Sequence, residues 1–194
     1  MRFSAAVLIL LLVFSLTASA GTQDNAKLAL HVAPTCDKCI HDVCGTYSPV
    51  RLNTPCSSYS TEYRDPGGAG YRAFLLVAQA DALAGVSQVR FGIEWDLSSI
   101  NPFGWTPCGD SEVMDPGFYT GSGGNLISWD PTTNCQRAVI GSDGAHALVG
   151  AFYLYSYGPG EFKVVPDPAA TPQAFMVADC NGEVSYPAFR GGSI

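Results

Sequence analysis

Positive charge is scarce in this chain: ten Lys and Arg stand against 17 Asp and Glu in 194 residues, a formal net charge of −7. No basic stripe is available to neutralise phosphates, so nucleic acid and anionic membrane surfaces are poor partners. Sustained helical periodicity is lacking as well. Beyond residue 20, no stretch keeps apolar residues at helical spacing for three turns. Single helical turns are expected only at Gln136–Ile140 and Ala80–Ala84. No second apolar run follows the first, so no membrane span is expected, which would need ~18 apolar residues. Neither a G-x-S-x-G elbow nor a D-x-[DN]-x-[DN]-G calcium loop occurs; Gly85-Val86-Ser87-Gln88-Val89 lacks the closing glycine. No repeat or low-complexity linker divides the chain.

What is present begins with a leader. Arg2 precedes the apolar run Ala5–Phe14, and Ala18-Ser19-Ala20 forms a small-x-small cleavage site. Residues 1–20 therefore read as a signal peptide, and residues 21–194 as a single secreted domain, extracellular or periplasmic. Its 174 residues can bury one substantial core. Removing Arg2 with the leader leaves nine Lys and Arg against 17 acids, or −8, spread without runs. Such charge chiefly keeps an exported domain soluble.

All seven cysteines lie past the leader: Cys36, Cys39, Cys44, Cys56, Cys108, Cys135 and Cys180. Outside the cytoplasm they read as a disulfide framework, and an odd count leaves at least one thiol over, paired between chains or used otherwise. Cys108 and Cys135 flank one long connection and are the first expected pair. Cys44 with Cys56 is the second, because Tyr47-Ser48-Pro49 and Asn53-Thr54-Pro55 are turn material. Cys36, Cys39 and Cys180 stay unassigned.

The rest of the chain alternates as strands do. Leu28, Leu30 and Val32 share one face of a strand over Lys27–Val32. Tyr71–Ala78 is apolar on both faces. Over Val86–Trp95, Val89, Phe91, Ile93 and Trp95 separate from Gln88, Arg90, Gly92 and Glu94 as only a half-buried strand allows. Leu126–Trp129, Ala147–Tyr157, Glu161–Val165 and Ala174–Val177 are further strands. Residues 34–70 form a Cys-rich loop segment ending in Asp65-Pro66-Gly67-Gly68-Ala69-Gly70, and Asn101–Gly124 reads as long loop with one short strand. The fold class is all-β: an antiparallel β-sandwich of Ig-like or jelly-roll type, stapled by disulfides, with little helix.

Several constellations could carry chemistry. Cys36-x2-Cys39-x-His41-x2-Cys44, with Cys56 and His31 nearby, could form a metal-binding Cys/His module over residues 31–56, although an oxidising compartment favours disulfides. Glu94 and Asp96 share a strand face ~6.7 Å apart, within reach of glycosidase carboxylate spacings. The same face carries Arg90 and reads equally as a solvated ion-pair surface. Ser142-Asp143-Gly144-Ala145-His146 holds triad residue types, but adjacency in sequence is no credit, and a tight Asp-Gly turn is the plainer reading. Trp105 and Trp129 near Cys108 and Cys135, with Tyr119 and Asp130, could line a sugar site or pack as core. Tyr153, Tyr155 and Tyr157 share a face that is either a ligand platform or an inner layer, opposite Leu148, Phe152 and Leu154.

The string Gly85–Asp96, with its glycine, alternation and closing acid, resembles a strand of cohesin-like bacterial extracellular sandwiches. Gly104-Trp105-x2-Cys108, Trp129-x4-Asn134-Cys135-Gln136 and Gly150-Ala151-Phe152-Tyr153 are similar to stretches of exported bacterial proteins. The resemblance implies the sandwich fold and transfers no binding residues. The expectation is a secreted, non-catalytic β-sandwich without cofactor or metal. It would serve in binding or as a surface component, with a polysaccharide or another extracellular protein as partner and Trp105, Trp129, Tyr119 and Asp130 as first ligand contacts. The alternatives are a glycan hydrolase using Glu94 and Asp96, and the metal module.

Overall fold

A computed structural model describes residues 21–34, 43–45, 48–62, 70–171 and 173–188. The expected leader, Cys36, Cys39, His41, most of the 65–70 turn and the tail from 189 lie outside the described residues. Strands run in chain order as β1 (Lys27–Pro34), β2 (Tyr71–Ala80), β3 (Gln88–Trp95), β4 (Ile100–Pro107), β5 (Ser111–Met114), β6 (Asn125–Ser128), β7 (Ala138–Val139), β8 (Ala145–Ser156), β9 (Phe162–Val165), β10 (Met176–Ala178) and β11 (Val184–Ser185). Among the described residues there is no α-helix, only single 3-10 turns at Cys56–Ser58 and Phe118–Thr120.

The strands form two antiparallel sheets. One has the order β1-β2-β8-β4, with β7 also on β8; the other is β11-β10-β3-β6-β5, with β9 on the far half of β3. Their facing sides share one apolar core. Leu28, Leu30, Ala73, Leu75, Val77, Phe152 and Leu154 come from the first sheet, and Val89, Phe91, Ile93, Ile127 and Phe162 from the second. The chain is therefore the antiparallel sandwich that its alternation predicts.

β3 follows its pattern closely: Val89, Phe91 and Ile93 are fully buried and Glu94 is exposed, while Gly92 is buried and Trp95 half-buried. β8 does not. Leu75 pairs Gly150 but Leu76 pairs Leu148, so Val149 is an extra residue on β8. This bulge inverts the strand's faces halfway along. Ala145, Ala147 and Val149 point into the core, then Phe152 and Leu154 do. Leu148 is turned outward, where it joins Val43, Phe74, Leu76 and Ala151 in a second apolar cluster beneath the segment around residues 43–59.

Much of the segment expected as loop is strand. β4 spans Ile100–Pro107 despite Pro102, Gly104 and Pro107, because it is the sheet's edge and bonds only to β8. Gln136–Ile140 forms no helical turn; Gln136 bridges Val86 and Ala138–Val139 pairs β8, since strand partners lie within reach.

The disulfides differ from both expected pairs. Cys44 bonds Cys108 and Cys135 bonds Cys180, while Cys56 is a free thiol. Cys108 does not meet Cys135 because the two lie in different layers. The Cys108 N–H donates to Val149 of the first sheet, whereas Cys135 leads into the bridge with Val86 beside the second. Cys44 does not meet Cys56, because it instead fastens the outer loop to the end of β4.

Candidate functional site

Cys56, the free thiol among the described residues, sits on the outer side of the first sheet. It opens the 3-10 turn Cys56–Ser58 after Pro55, and its backbone N–H donates to Asp143 Oδ2 at 2.8 Å. Its Sγ lies 3.6 Å from Nε2 of His146. On the other side of the imidazole, Nδ1 and the Tyr59 hydroxyl are 2.9 Å apart. Metal-ligating atoms of Cys56, Asp143 and His146 all lie within 4.8 Å of one another.

Three local features bring these groups together. Asp143 stands in the tight turn between β7 and β8, as the Asp-Gly reading expects, with Gly144 at φ +75°. A Cβ at Gly144 would come within 2.6 Å of the Ala80 carbonyl oxygen, so the turn requires glycine twice over. Opposite His146, β2 carries an extra residue: Val77 pairs Ala147 but Ala80 pairs Ala145. Gln79, inside this bulge, has φ +58°. Such a conformation costs about 1–3 kcal/mol, and this one is held beside the cluster. The third feature is the Cys56–Ser60 stretch, pinned by the Ser60 N–H to His31 Nδ1 and the Val32 N–H to the Ser60 carbonyl.

A cavity of about 260 Å³ opens against the cluster, lined by Cys56, Tyr59, Gln79, Leu28, Leu30 and Thr61 among others. Burial sets the electrostatics. It pushes the Cys56 thiol up to about 11, with the neighbouring Asp143 carboxylate adding to the rise. It raises Tyr59 too, and lowers His146 below the ordinary imidazole value against the opposing pull of Asp143. The resting pair is thus a neutral thiol beside a neutral imidazole. That is the reverse of the thiolate–imidazolium pair of a cysteine nucleophile.

The other expected sites fare unevenly. Trp129 is 3 % exposed and donates from Nε1 to the Cys108 carbonyl. Trp105 faces inward against Phe152, ring centroids 4.3 Å apart, in space that only Gly150 leaves open, and donates to Glu112. Trp129 is core, while Trp105 is half-buried against that core and shares Glu112 and Phe118 with Tyr119; with Trp129 buried, the four residues do not make one open platform. Tyr119 is exposed at the Phe118–Thr120 turn, and the Asp130 carboxylate accepts the Thr132 and Thr133 N–H groups.

Glu94 is exposed opposite Lys163, while Asp96 lies past the end of β3 and binds the Ser98 N–H and hydroxyl. They form no cleft-lining pair, because both are exposed and the Asp96 carboxylate is held within its own turn by Ser98. Arg90 pairs with Asp167 and Asp115 instead of Glu94. Of the residue 31–56 module, Cys44 is consumed in a disulfide, and His31 accepts a backbone N–H. Among the described residues of that module, Cys56 alone meets further ligand groups, and these come from 87 and 90 residues downstream.

The tyrosines occupy the outer face of the first sheet. Phe103 is an extra residue in β4, since Pro102 pairs Leu154 and Gly104 pairs Tyr153. The bulge throws its ring edge-on against Tyr153, centroids 4.3 Å apart. Tyr155 and Tyr157 follow at 4.9 Å from each other, with exposed Asn101 in register with Tyr155. Phe103 is 52 % exposed and Tyr157 71 %. Rings so exposed are not an inner layer.

No protein-family model and no curated protein sequence matches this chain. Among solved structures it is similar to a cohesin module of a family 33 glycoside hydrolase from Clostridium perfringens, with 10 % identity, TM-score 0.43, covering 66 % of this chain and 84 % of that one. It is also similar to the sixth cohesin of Acetivibrio cellulolyticus scaffoldin B, solved with a Cel5 dockerin, with 11 % identity, TM-score 0.45, covering 65 % and 87 %. A cohesin of the CaDoc0917–CaCohA2 complex gives 18 % identity and TM-score 0.45, covering 66 % of this chain and 89 % of that one. The likeness is to cohesin sandwiches in outline.

Proposed function

We propose that this chain is an exported, non-catalytic binding module that holds a glycan on the aromatic run of β4 and β8. The observation that carries the reading is the line Phe103, Tyr153, Tyr155 and Tyr157, four rings on one outer sheet face with its two ends well exposed. A pyranose face stacks on such rings, and the Asn101 amide beside them offers both donors and acceptors to hydroxyls. Export is supported by the leader and by the two disulfides, which persist outside the cytoplasm. A hydrolytic reading is not favoured, because Glu94 and Asp96 do not converge.

The test is affinity electrophoresis and pull-down of the exported chain on a panel of soluble and insoluble polysaccharides, with Phe103→Ala/Tyr157→Ala beside the parent. Both side chains are surface-exposed, so the variant keeps its far-ultraviolet spectrum. Losing two stacking contacts of about 1 kcal/mol each weakens retention roughly 30-fold. Equal retention by parent and variant, or none by the parent on any polysaccharide, would remove this function.

A further inference from the structure

We propose that Cys56, Asp143 and His146 form a mononuclear site for a borderline-soft divalent cation, zinc(II) being the type, with its fourth position turned to the adjoining cavity. The site is independent of the aromatic run and lies elsewhere on the sheet.

The argument starts from one distance. Zinc bonds sulfur at about 2.3 Å and imidazole nitrogen at about 2.0–2.1 Å, so a tetrahedral angle puts the two donors about 3.6 Å apart. Cys56 Sγ and His146 Nε2 are 3.6 Å apart. The corresponding edges to a carboxylate oxygen are about 3.4–3.6 Å. With all three ligand atoms already within 4.8 Å, Asp143 has little over an ångström left to close. Its turn is short and its backbone is fixed, so a side-chain rotation suffices.

The surroundings are those of a supported metal ligand. The Tyr59 hydroxyl at Nδ1 holds the His146 ring, and accepting the Nδ1 proton leaves the Nε2 lone pair for the cation. His146 is fully buried, which fixes its direction. Cys56 and Tyr59 line the 260 Å³ cavity, so the position not taken by protein is reached from there by water or a small ligand. Bulges recur next to functional sites, and the Gln79 bulge faces His146 across the sheet. Binding is proton-balanced: the thiol proton leaves to solvent, the imidazole keeps its Nδ1 proton on Tyr59, and Asp143 enters as carboxylate. Oxidised sulfur cannot do this, so the thiol's exclusion from both bridges is what leaves the site usable.

The experiment titrates the exported chain, bridges intact, with cobalt(II) as a spectroscopic stand-in for zinc. The expected result is one cobalt per chain with tetrahedral d–d bands and a thiolate-to-cobalt charge-transfer band, and zinc that displaces cobalt and slows alkylation of Cys56. Cys56→Ser abolishes the charge-transfer band and weakens binding by at least ~100-fold, the upper range for loss of even a supporting partner. Asp143→Asn weakens binding while keeping the sulfur band, and serves as the milder change should Cys56→Ser fold poorly. Absence of binding, binding without the sulfur band, or an affinity unchanged in Cys56→Ser or Asp143→Asn overturns the proposal.

Discussion

Removing the Cys135–Cys180 bridge tests both the cross-link pattern and the energetics drawn from it. The bridge closes 45 residues and Cys44–Cys108 closes 64. In the chain-entropy account, loops of these sizes stabilise by about 4.0 and 4.3 kcal/mol through restriction of the unfolded chain. Cys135→Ala/Cys180→Ala should therefore lower the urea-unfolding free energy by about 4 kcal/mol. It should also raise the denaturant slope, because the freed chain exposes more surface on unfolding. Cys44→Ala/Cys108→Ala should cost slightly more, since it also releases the segment whose Val43 covers Phe74, Leu76 and Leu148. Both residues of each pair must be replaced, or the orphaned thiol could exchange with Cys56. Equilibrium unfolding by intrinsic tryptophan fluorescence is a suitable assay, with Trp129 inside the core. A loss below about 1 kcal/mol for either double variant, or a non-reducing peptide map joining Cys108 to Cys135, would refute the reasoning.

Two further outcomes follow from buried charge. Asp167 has a fully buried side chain ion-paired to Arg90, whose own side chain is 36 % exposed. Stranding a buried carboxylate costs about 3–5 kcal/mol. Water can partly replace so exposed a guanidinium, so Arg90→Met should cost about 2–3 kcal/mol by urea unfolding, and a loss under 1 kcal/mol would contradict the pairing. Burial lowers both His31 and His146 from the ordinary imidazole value. The unfolded chain then binds protons more readily, so their contribution is complete above pH ~6.5 and is lost as pH falls through the lower folded values. Thermal stability should drop between pH 7 and 5, and a His146→Gln variant that still folds should show a shallower fall. An unchanged slope would show that the ring is not buried as a neutral group.

How much of this was legible in the sequence depends on whether a feature is local. Strict alternation made β3 readable, because a strand buried on one face forces every second residue to be apolar. The same rule misplaced Leu148 of β8, since one extra residue at Val149 inverts the faces and alternation counted across it joins Leu148 to the wrong side; the tyrosines beyond the bulge were grouped correctly, with their face left open between inner and outer. β4 was hidden because an edge strand tolerates proline where a central one could not. The candidate site was out of reach for a different reason. Cys56 and His146 stand 90 residues apart, and they meet only because a disulfide from Cys44 and the pairing of Ser60 with Val32 fold the outer loop onto the sheet. Neither bridge was deducible from spacing, since the layer that each cysteine occupies depends on where the chain crosses between sheets. What could have hinted at the site was arithmetic: seven cysteines leave at least one over. The Asp-Gly turn before His146 was the other half of the answer, in plain view but with nothing nearby to say what it faced.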